Sequence, residues 1–137
     1  MEMWKDIKGY EGLYQVSNLG RVKSLPKRKG KGKGYLTKEI ILKPKIDKYG
    51  YEAVCLRRDK ANHHATVHRL VAIMFCENPM LKETVNHIDG NKLNNNFNNL
   101  EWCTSRENTR HAFENNLGGF KDRALNNLKI INNKKVG

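Results

Sequence analysis

The sequence predicts an α+β fold in which a small N-terminal antiparallel β-sheet precedes a β-hairpin and a helix. Three observations predict it. Apolar residues alternate around glycine-containing breaks in the first 60 residues, apolar residues recur at helical spacing over 66–76, and two strand-like segments enclose a polar loop at 84–103. At 137 residues the chain has the length of one domain, which buries roughly two-thirds of the unfolded surface. We expect one modest core with long polar connections.

The N-terminal sheet begins with a hairpin. Residues 13–17 and 21–25 alternate in polarity on either side of a break that contains Gly20. Two further strands are predicted at 39–43 and 51–56. So small a sheet is not expected to be stable alone, and it should pack against the segments that follow.

A basic, glycine-rich loop is predicted at residues 26–34. It holds five basic residues and three glycines and has no apolar side chain, so we expect a flexible surface segment. Taken alone it is either a solvated connection or an arm that contacts phosphates, and the net charge favours the arm. The candidate DNA-binding residues of this loop are Lys27, Arg28, Lys29, Lys31 and Lys33.

An amphipathic helix is predicted over residues 66–76. Thr66 is a candidate cap, and Asn78-Pro79 should end the helix. His68 and Arg69 would project from the other side of its first turn. His68 is then either an ordinary exposed histidine or a group that contacts phosphate, and Arg69 should either reach DNA or brace the site.

The segment 85–102 has seven asparagines among eighteen residues, yet apolar side chains stand at both of its ends. A strand at 84–88, a polar loop and a strand at 99–103 are followed by Thr104 and Glu107, the spacing of a helix capping box. A helix should therefore run over 104–116, and a second, marginal helix follows from Phe120. This arrangement allows four polar side chains to converge, namely Asn86, His87, Asn99 and Asn108.

At this point the sequence resembles the HNH endonucleases, in particular the homing endonucleases carried by bacteriophages and their introns. The residues that carry this resemblance are Val67-His68-Arg69-Leu70-Val71-Ala72, Val85-Asn86-His87-Ile88-Asp89-Gly90-Asn91-Lys92, Asn98-Asn99-Leu100-Glu101-Trp102 and Glu107-Asn108. The front of the chain resembles the small DNA-binding module that precedes the nuclease in the same proteins. Its matching residues are Trp4-Lys5-Asp6-Ile7, Gly9-Tyr10-Glu11-Gly12 and Tyr14-Gln15-Val16-Ser17-Asn18-Leu19-Gly20-Arg21-Val22.

The resemblance implies a ββα-metal nuclease fold with flanking helices and assigns a role to each converging residue. His87 corresponds to the general base, and Asn99 to the residue that orients the base and secures the loop. Asn86 and Asn108 correspond to the strand and helix metal ligands. Many HNH sites have Asp at the position of Asn86, so weaker metal binding is expected here. The other asparagines of the loop should form turns.

The candidate site residues also suit phosphodiester hydrolysis on chemical grounds alone. A histidine near its reference pKa of about 6.5 can accept a proton from water at neutral pH. Oxygen ligands favour one divalent cation, Mg²⁺ or Mn²⁺. Three divisions of the chain are expected: a β-rich DNA-binding module at 1–60, the nuclease core at 61–117 and a helical tail at 118–137.

Composition restricts the possible partners. The 26 Lys and Arg residues against 14 Asp and Glu give a net charge of +12, which is typical of proteins that bind polyanions. Three cysteines without zinc-ribbon spacing argue against disulfides and zinc. The absence of long apolar runs and of a signal-like N-terminus leads us to expect a soluble protein in the cytoplasm of a host cell, encoded by a phage or mobile element.

Three functions compete. The first is a metal-dependent endonuclease that acts on double-stranded DNA as a monomer. The second is a DNA-binding protein derived from an HNH domain that no longer recruits metal through Asn86. The third, an RNA-binding protein, lacks support because the tyrosines form no base-stacking motif.

Overall fold

The computed structural model describes residues 1–114 and confirms the α+β fold. The strands are β1 Trp4–Asp6, β2 Tyr14–Ser17, β3 Val22–Ser24, β4 Arg28–Lys29, β5 Tyr35–Leu36, β6 Ile40–Ile41, β7 Lys45–Ile46, β8 Glu52–Arg58, β9 Ala61–Thr66, β10 Thr84–His87 and β11 Leu100–Cys103. The helices are α1 Val67–Phe75 and α2 Ser105–Glu114, and a short 3₁₀ turn covers Phe97–Asn99. The predicted C-terminal helix and the end of the helix predicted at 104–116 lie outside the described residues.

The N-terminal sheet has the order β1-β2-β3-β6 and is antiparallel. The hairpin predicted around Gly20 is confirmed, with Val16 opposite Val22 and both side chains buried. The strand predicted at 39–43 is reduced to two residues, and Ile40 and Ile41 are exposed. Alternation alone therefore located this strand but overstated its length.

The basic segment 26–34 belongs to a short hairpin rather than to an irregular loop. Strands β4 and β5 form a short antiparallel ladder, and Lys27 N donates to the Thr37 hydroxyl at 2.8 Å. Gly34 closes the turn at φ +54°, and its amide donates to the Lys31 carbonyl. From the sequence alone the glycines of this segment predict flexibility, but Gly34 supplies the positive φ of a tight turn. We call residues 27–36 the basic hairpin.

A second sheet has the order β7-β8-β9, and its last strand leads directly into α1. Strand β8 confirms the strand predicted at 51–56 and pairs with β9 from Ala53 to Arg58. The expected boundary at residue 60 falls in the turn of this hairpin, where Asp59 and Lys60 both have positive φ. The division of the chain into the three expected parts stays a prediction.

Helix α1 lies at the centre of the fold. Leu70, Val71 and Ala72 are buried against core residues from the N-terminal sheet, β8, β10 and β11. Thr66 precedes the helix in extended backbone, but its hydroxyl makes no capping hydrogen bond, so the predicted side-chain cap is wrong. Of the two alternatives for His68, that of an ordinary exposed histidine is wrong, because only 7% of the residue is accessible.

Strands β10 and β11 form the predicted hairpin, and α2 packs against both. The Thr104 hydroxyl accepts a hydrogen bond from Glu107 N at 3.1 Å, which confirms the cap of this helix. Lys82 Nζ donates a hydrogen bond to Glu107 Oε2 at 3.0 Å, which links the helix to the segment before β10. Within residues 1–114, no helix has the length and apolar composition that crossing a bilayer requires.

Candidate active site

His87 ends strand β10 and lies opposite Leu100 of β11. Because side chains alternate across a strand, His87 faces the core together with Val85, whereas Asn86 points to the other face, where it lies opposite Glu101. The hairpin therefore separates the candidate base from the candidate strand ligand while keeping them adjacent in the chain.

The imidazole of His87 has one defined hydrogen-bond partner. Its Nε2 atom lies 2.8 Å from Oδ1 of Asn95, and both residues are buried. An amide oxygen only accepts hydrogen bonds, so Nε2 carries the proton and Nδ1 presents its lone pair. This tautomer suits a general base that acts through Nδ1.

Two aromatic rings flank His87. The ring centroids of His68 and His87 are 4.9 Å apart, and Tyr51 stacks on His68 at 4.7 Å and on His87 at 5.9 Å. Burial lowers the pKa of His68 to about 4. Burial also lowers the pKa of His87, although the hydrogen bond to Asn95 opposes this effect. Both rings are therefore neutral at pH 7.

Asn99 secures the loop but does not contact the base. Its Oδ1 accepts from Asp89 N at 3.1 Å, and its Nδ2 donates to Asp89 Oδ1 and to the Asn94 carbonyl, both at 2.9 Å. The orienting contact expected from Asn99 is made by Asn95 instead. The reason is the path of the loop. Asn99 lies at the end of the 3₁₀ turn and bridges the two ends of the loop. Asn95 lies in the middle of the loop, and its side chain contacts the His87 ring.

The sequence predicts that Asn91, Asn94, Asn95, Asn96 and Asn98 form turns, and the side chains of Asn91 and Asn96 confirm this for their positions. The side-chain oxygens of Asp89, Asn91 and Asn96 each accept from the backbone amide two residues later. Asn95 differs because it is 4% exposed and its side chain faces inward. No feature of the sequence separates it from the other members of the run.

The turn of the N-terminal hairpin packs against Asn95. A Cβ placed on Gly20 would lie 2.8 Å from Cβ and 2.9 Å from the carbonyl oxygen of Asn95, closer than atoms can approach. Phe97 N donates to the Asn18 carbonyl at 2.8 Å. The turn at 18–20 thus fixes the loop segment that holds the base.

Asn86 is suited to bind a metal through its oxygen. Its Nδ2 donates to Glu101 Oε1 at 3.0 Å, and within residues 1–114 Oδ1 has no hydrogen-bond donor. Asn108 is half-buried on α2, three residues before His111, whose Nε2 lies 2.9 Å from the Ile88 carbonyl. Residues three apart share a helix face, so Asn108 lies on the face directed at the hairpin.

These oxygen donors fit a hard divalent cation that also binds substrate phosphate. The described part of the chain contains no group of three or more His, Cys, Asp or Glu side chains that could hold a metal without such help. The donor set therefore fits a cation that is held jointly with DNA better than one bound permanently.

The remaining predicted site residues occupy three places. The Arg69 Nη1 donates to the Glu83 carbonyl at 2.9 Å and its guanidinium lies 5.6 Å from the Trp102 ring centroid, so this side chain braces the hairpin. His68 belongs to the ring cluster at the base. Four of the five basic side chains of the basic hairpin belong to exposed residues, and Lys27 is half-buried over the Tyr14 ring.

Comparison with known proteins places the chain in a family. A model of the NUMOD4 motif matches residues 2–57, and a model of the HNH endonuclease family matches residues 65–110. The chain belongs to the HNH endonuclease family, and the resemblance inferred from the sequence is confirmed.

Particular relatives include the DNA endonuclease I-HmuI of Bacillus phage SP01, which is 45% identical over 108 residues, covering 79% of this chain and 56% of that protein. The uncharacterized HNH endonuclease L247 of Acanthamoeba polyphaga mimivirus is 38% identical over 140 residues, covering 98% of this chain and 32% of that protein. The chain thus spans only part of the length of these curated relatives. A solved structure, described as DNA binding and cleavage by the HNH homing endonuclease I-HmuI, matches with a TM-score of 0.69 at 40% identity and covers 93% of this chain and 67% of that one.

Proposed function

We propose that this protein is a metal-dependent DNA endonuclease of the homing type that hydrolyses phosphodiester bonds with His87 as the general base. The observation that carries the proposal is the His87–Asn95 hydrogen bond, which fixes the tautomer of a buried imidazole and leaves its Nδ1 lone pair unused within residues 1–114. Membership of the HNH family supports the same reaction.

In this reaction His87 Nδ1 accepts a proton from water while the water oxygen attacks phosphorus. The bond between phosphorus and the 3′-oxygen breaks, the leaving oxygen takes a proton from solvent water, and the products are a 5′-phosphate and a 3′-hydroxyl end. Asn95 holds the ring in its tautomer, and Asn99 holds the loop that carries Asn95. The lowered pKa of His87 keeps the base unprotonated at neutral pH.

Asn86 and Asn108 would hold one divalent cation, Mg²⁺ or Mn²⁺, through their side-chain oxygens. Such an ion, when bound, stabilises the charge that develops on the phosphate and the leaving oxygen. The all-oxygen donor set is the reason to favour these two ions over Zn²⁺.

Recognition of double-stranded DNA would rest on the N-terminal half. The basic hairpin, with Lys27, Arg28, Lys29, Lys31 and Lys33, is placed to contact phosphates, and these contacts position the duplex without reading its sequence. A single base per chain favours nicking of one strand by a monomer.

The direct test is to incubate supercoiled plasmid with the protein and Mg²⁺, Mn²⁺ or EDTA. Nicked product in the metal samples and none in EDTA is expected, with ends that a ligase accepts. The alternative function, a DNA-binding protein without catalysis, is favoured by the neutral amide at Asn86. It predicts gel shifts that do not depend on metal and no product with any divalent ion.

A further inference from the structure

Glu101 is a carboxylate that faces the candidate metal ligand Asn86. It lies directly opposite Asn86 in the hairpin, and its Oε1 accepts a hydrogen bond from Asn86 Nδ2 at 3.0 Å. Because the two side chains share one face of a two-stranded ribbon, whatever binds at Asn86 lies close to Glu101 as well.

The charge of Glu101 is not used elsewhere in the described part of the chain. It forms no ion pair within residues 1–114, although the protein carries a net charge of +12. The nearby Lys82 pairs with Glu107 instead, at 3.0 Å. Glu101 is also exposed, so a second carboxylate oxygen remains accessible beside a buried amide.

We propose that Glu101 supplies the negative charge that the amide at Asn86 lacks and so completes the divalent metal site. Its Oε1 anchors the Asn86 amide group so that Oδ1 is left for the metal, and its charge attracts the cation. The inference rests on the proposed function and deepens it. Mg²⁺ and Mn²⁺ sites typically combine one or two carboxylates with substrate phosphates, and Asn86 and Asn108 alone provide no carboxylate.

A purely structural role for Glu101 would be to satisfy the buried Asn86 amide. Glu101→Gln separates the two roles, because the glutamine oxygen still accepts that hydrogen bond while the charge is removed. The matched control is Asp59→Asn, which removes the same charge from the far end of β8, and asparagine tolerates the positive φ of that position.

The experiment is a titration of the full chain with Mn²⁺ in the presence of saturating duplex DNA, in which free Mn²⁺ is measured by electron paramagnetic resonance and the Mn²⁺ bound by the same DNA alone is subtracted. Glu101→Gln should weaken Mn²⁺ binding about tenfold or more, and Asp59→Asn should leave it unchanged. Glu101→Asp, which keeps the charge, should stay near the wild-type affinity. In an Asn86→Asp background, where the strand carries its own carboxylate, the loss caused by Glu101→Gln should be much smaller.

An affinity of Glu101→Gln within twofold of wild type would overturn the role of Glu101 and leave the proposed nuclease function intact. An equal loss in Glu101→Asp and Glu101→Gln would overturn the explanation by charge. If the wild-type protein binds no Mn²⁺ and also fails to cut plasmid in its presence, the metal-dependent function itself is wrong, and this inference is wrong with it. Melting temperatures of the same samples show whether each variant is folded.

Discussion

Asn95 holds His87 through a 2.8 Å hydrogen bond from the histidine Nε2 to the amide oxygen, although the two residues belong to different parts of the hairpin. His87 ends β10, whereas Asn95 lies in the middle of the asparagine-rich loop. Asn99 ties the two ends of this loop together, and the turn at 18–20 contacts the loop from outside. The position of the base thus depends in part on a turn of the N-terminal sheet.

Replacing Asn95 with Ala should slow DNA cleavage about tenfold or more, because the ring loses the acceptor that fixes its tautomer. ¹⁵N chemical shifts of the His87 ring check the cause and should change from one tautomer to a mixture. Asn98→Ala is the control, since its exposed side chain makes no hydrogen bond within residues 1–114. Unchanged ring shifts in Asn95→Ala would show that Asn95 does not position the base.

Replacing Gly20 with Ala should reduce cleavage even though the residue lies in the N-terminal hairpin. The new methyl group would meet the backbone of Asn95 at 2.9 Å and force the loop to shift. Gly12→Ala is the matched control, because it has a similar positive φ of +78° but nothing within 4 Å. The rate per folded molecule is the quantity to compare, and equal rates in the two variants would rule out the coupling.

His68 should make the folded state less stable in acid. Its pKa is about 4 in the folded protein and about 6.5 in the unfolded chain, so between these values only the unfolded chain binds the proton. Its contribution is complete above pH 6.5 and is lost as the pH falls toward 4. The loss should reach up to about 3 kcal/mol. The neighbours that act on its charge are His87 and Arg69, which disfavour protonation, and Asp47, which favours it.

The measurement is urea unfolding between pH 4 and 8 for wild type, His68→Phe and His64→Gln. Phenylalanine keeps a ring against Tyr51, so His68→Phe should lose less stability in acid than wild type. His64 is exposed on β9, and its variant should follow the wild-type curve. Parallel curves for all three proteins would contradict the assignment.

Neutralising the five cations of the basic hairpin should weaken DNA binding at low salt and flatten its salt dependence. Each lost phosphate contact lowers the slope of log affinity against log salt by about 0.9. Gel shifts in EDTA at several salt concentrations measure this without cleavage. An unchanged slope would place the phosphate contacts elsewhere on the protein.

Much of the fold could be predicted because local rules apply directly to it. The spacing of apolar residues located α1, the turn at Gly20 located the first hairpin, and Thr104 with Glu107 located the start of α2. Each of these signals depends on residues within a few positions of one another.

The contacts that the sequence did not predict are long-range. His68 has the sequence context of an exposed first turn, but Tyr51, 17 positions earlier, covers it. The choice between Asn95 and Asn99 depends on the path of a loop that is packed against residues 18–20. Residue type cannot decide it, because every member of the run offers the same amide.

Single-turnover cleavage of duplex DNA by His87→Ala shows whether His87 is the base of a DNA endonuclease. With saturating Mg²⁺ or Mn²⁺ and protein in excess, the variant should still bind DNA but cut at least about a hundredfold more slowly than wild type. Cleavage by His87→Ala at the wild-type rate would show that His87 is not the base.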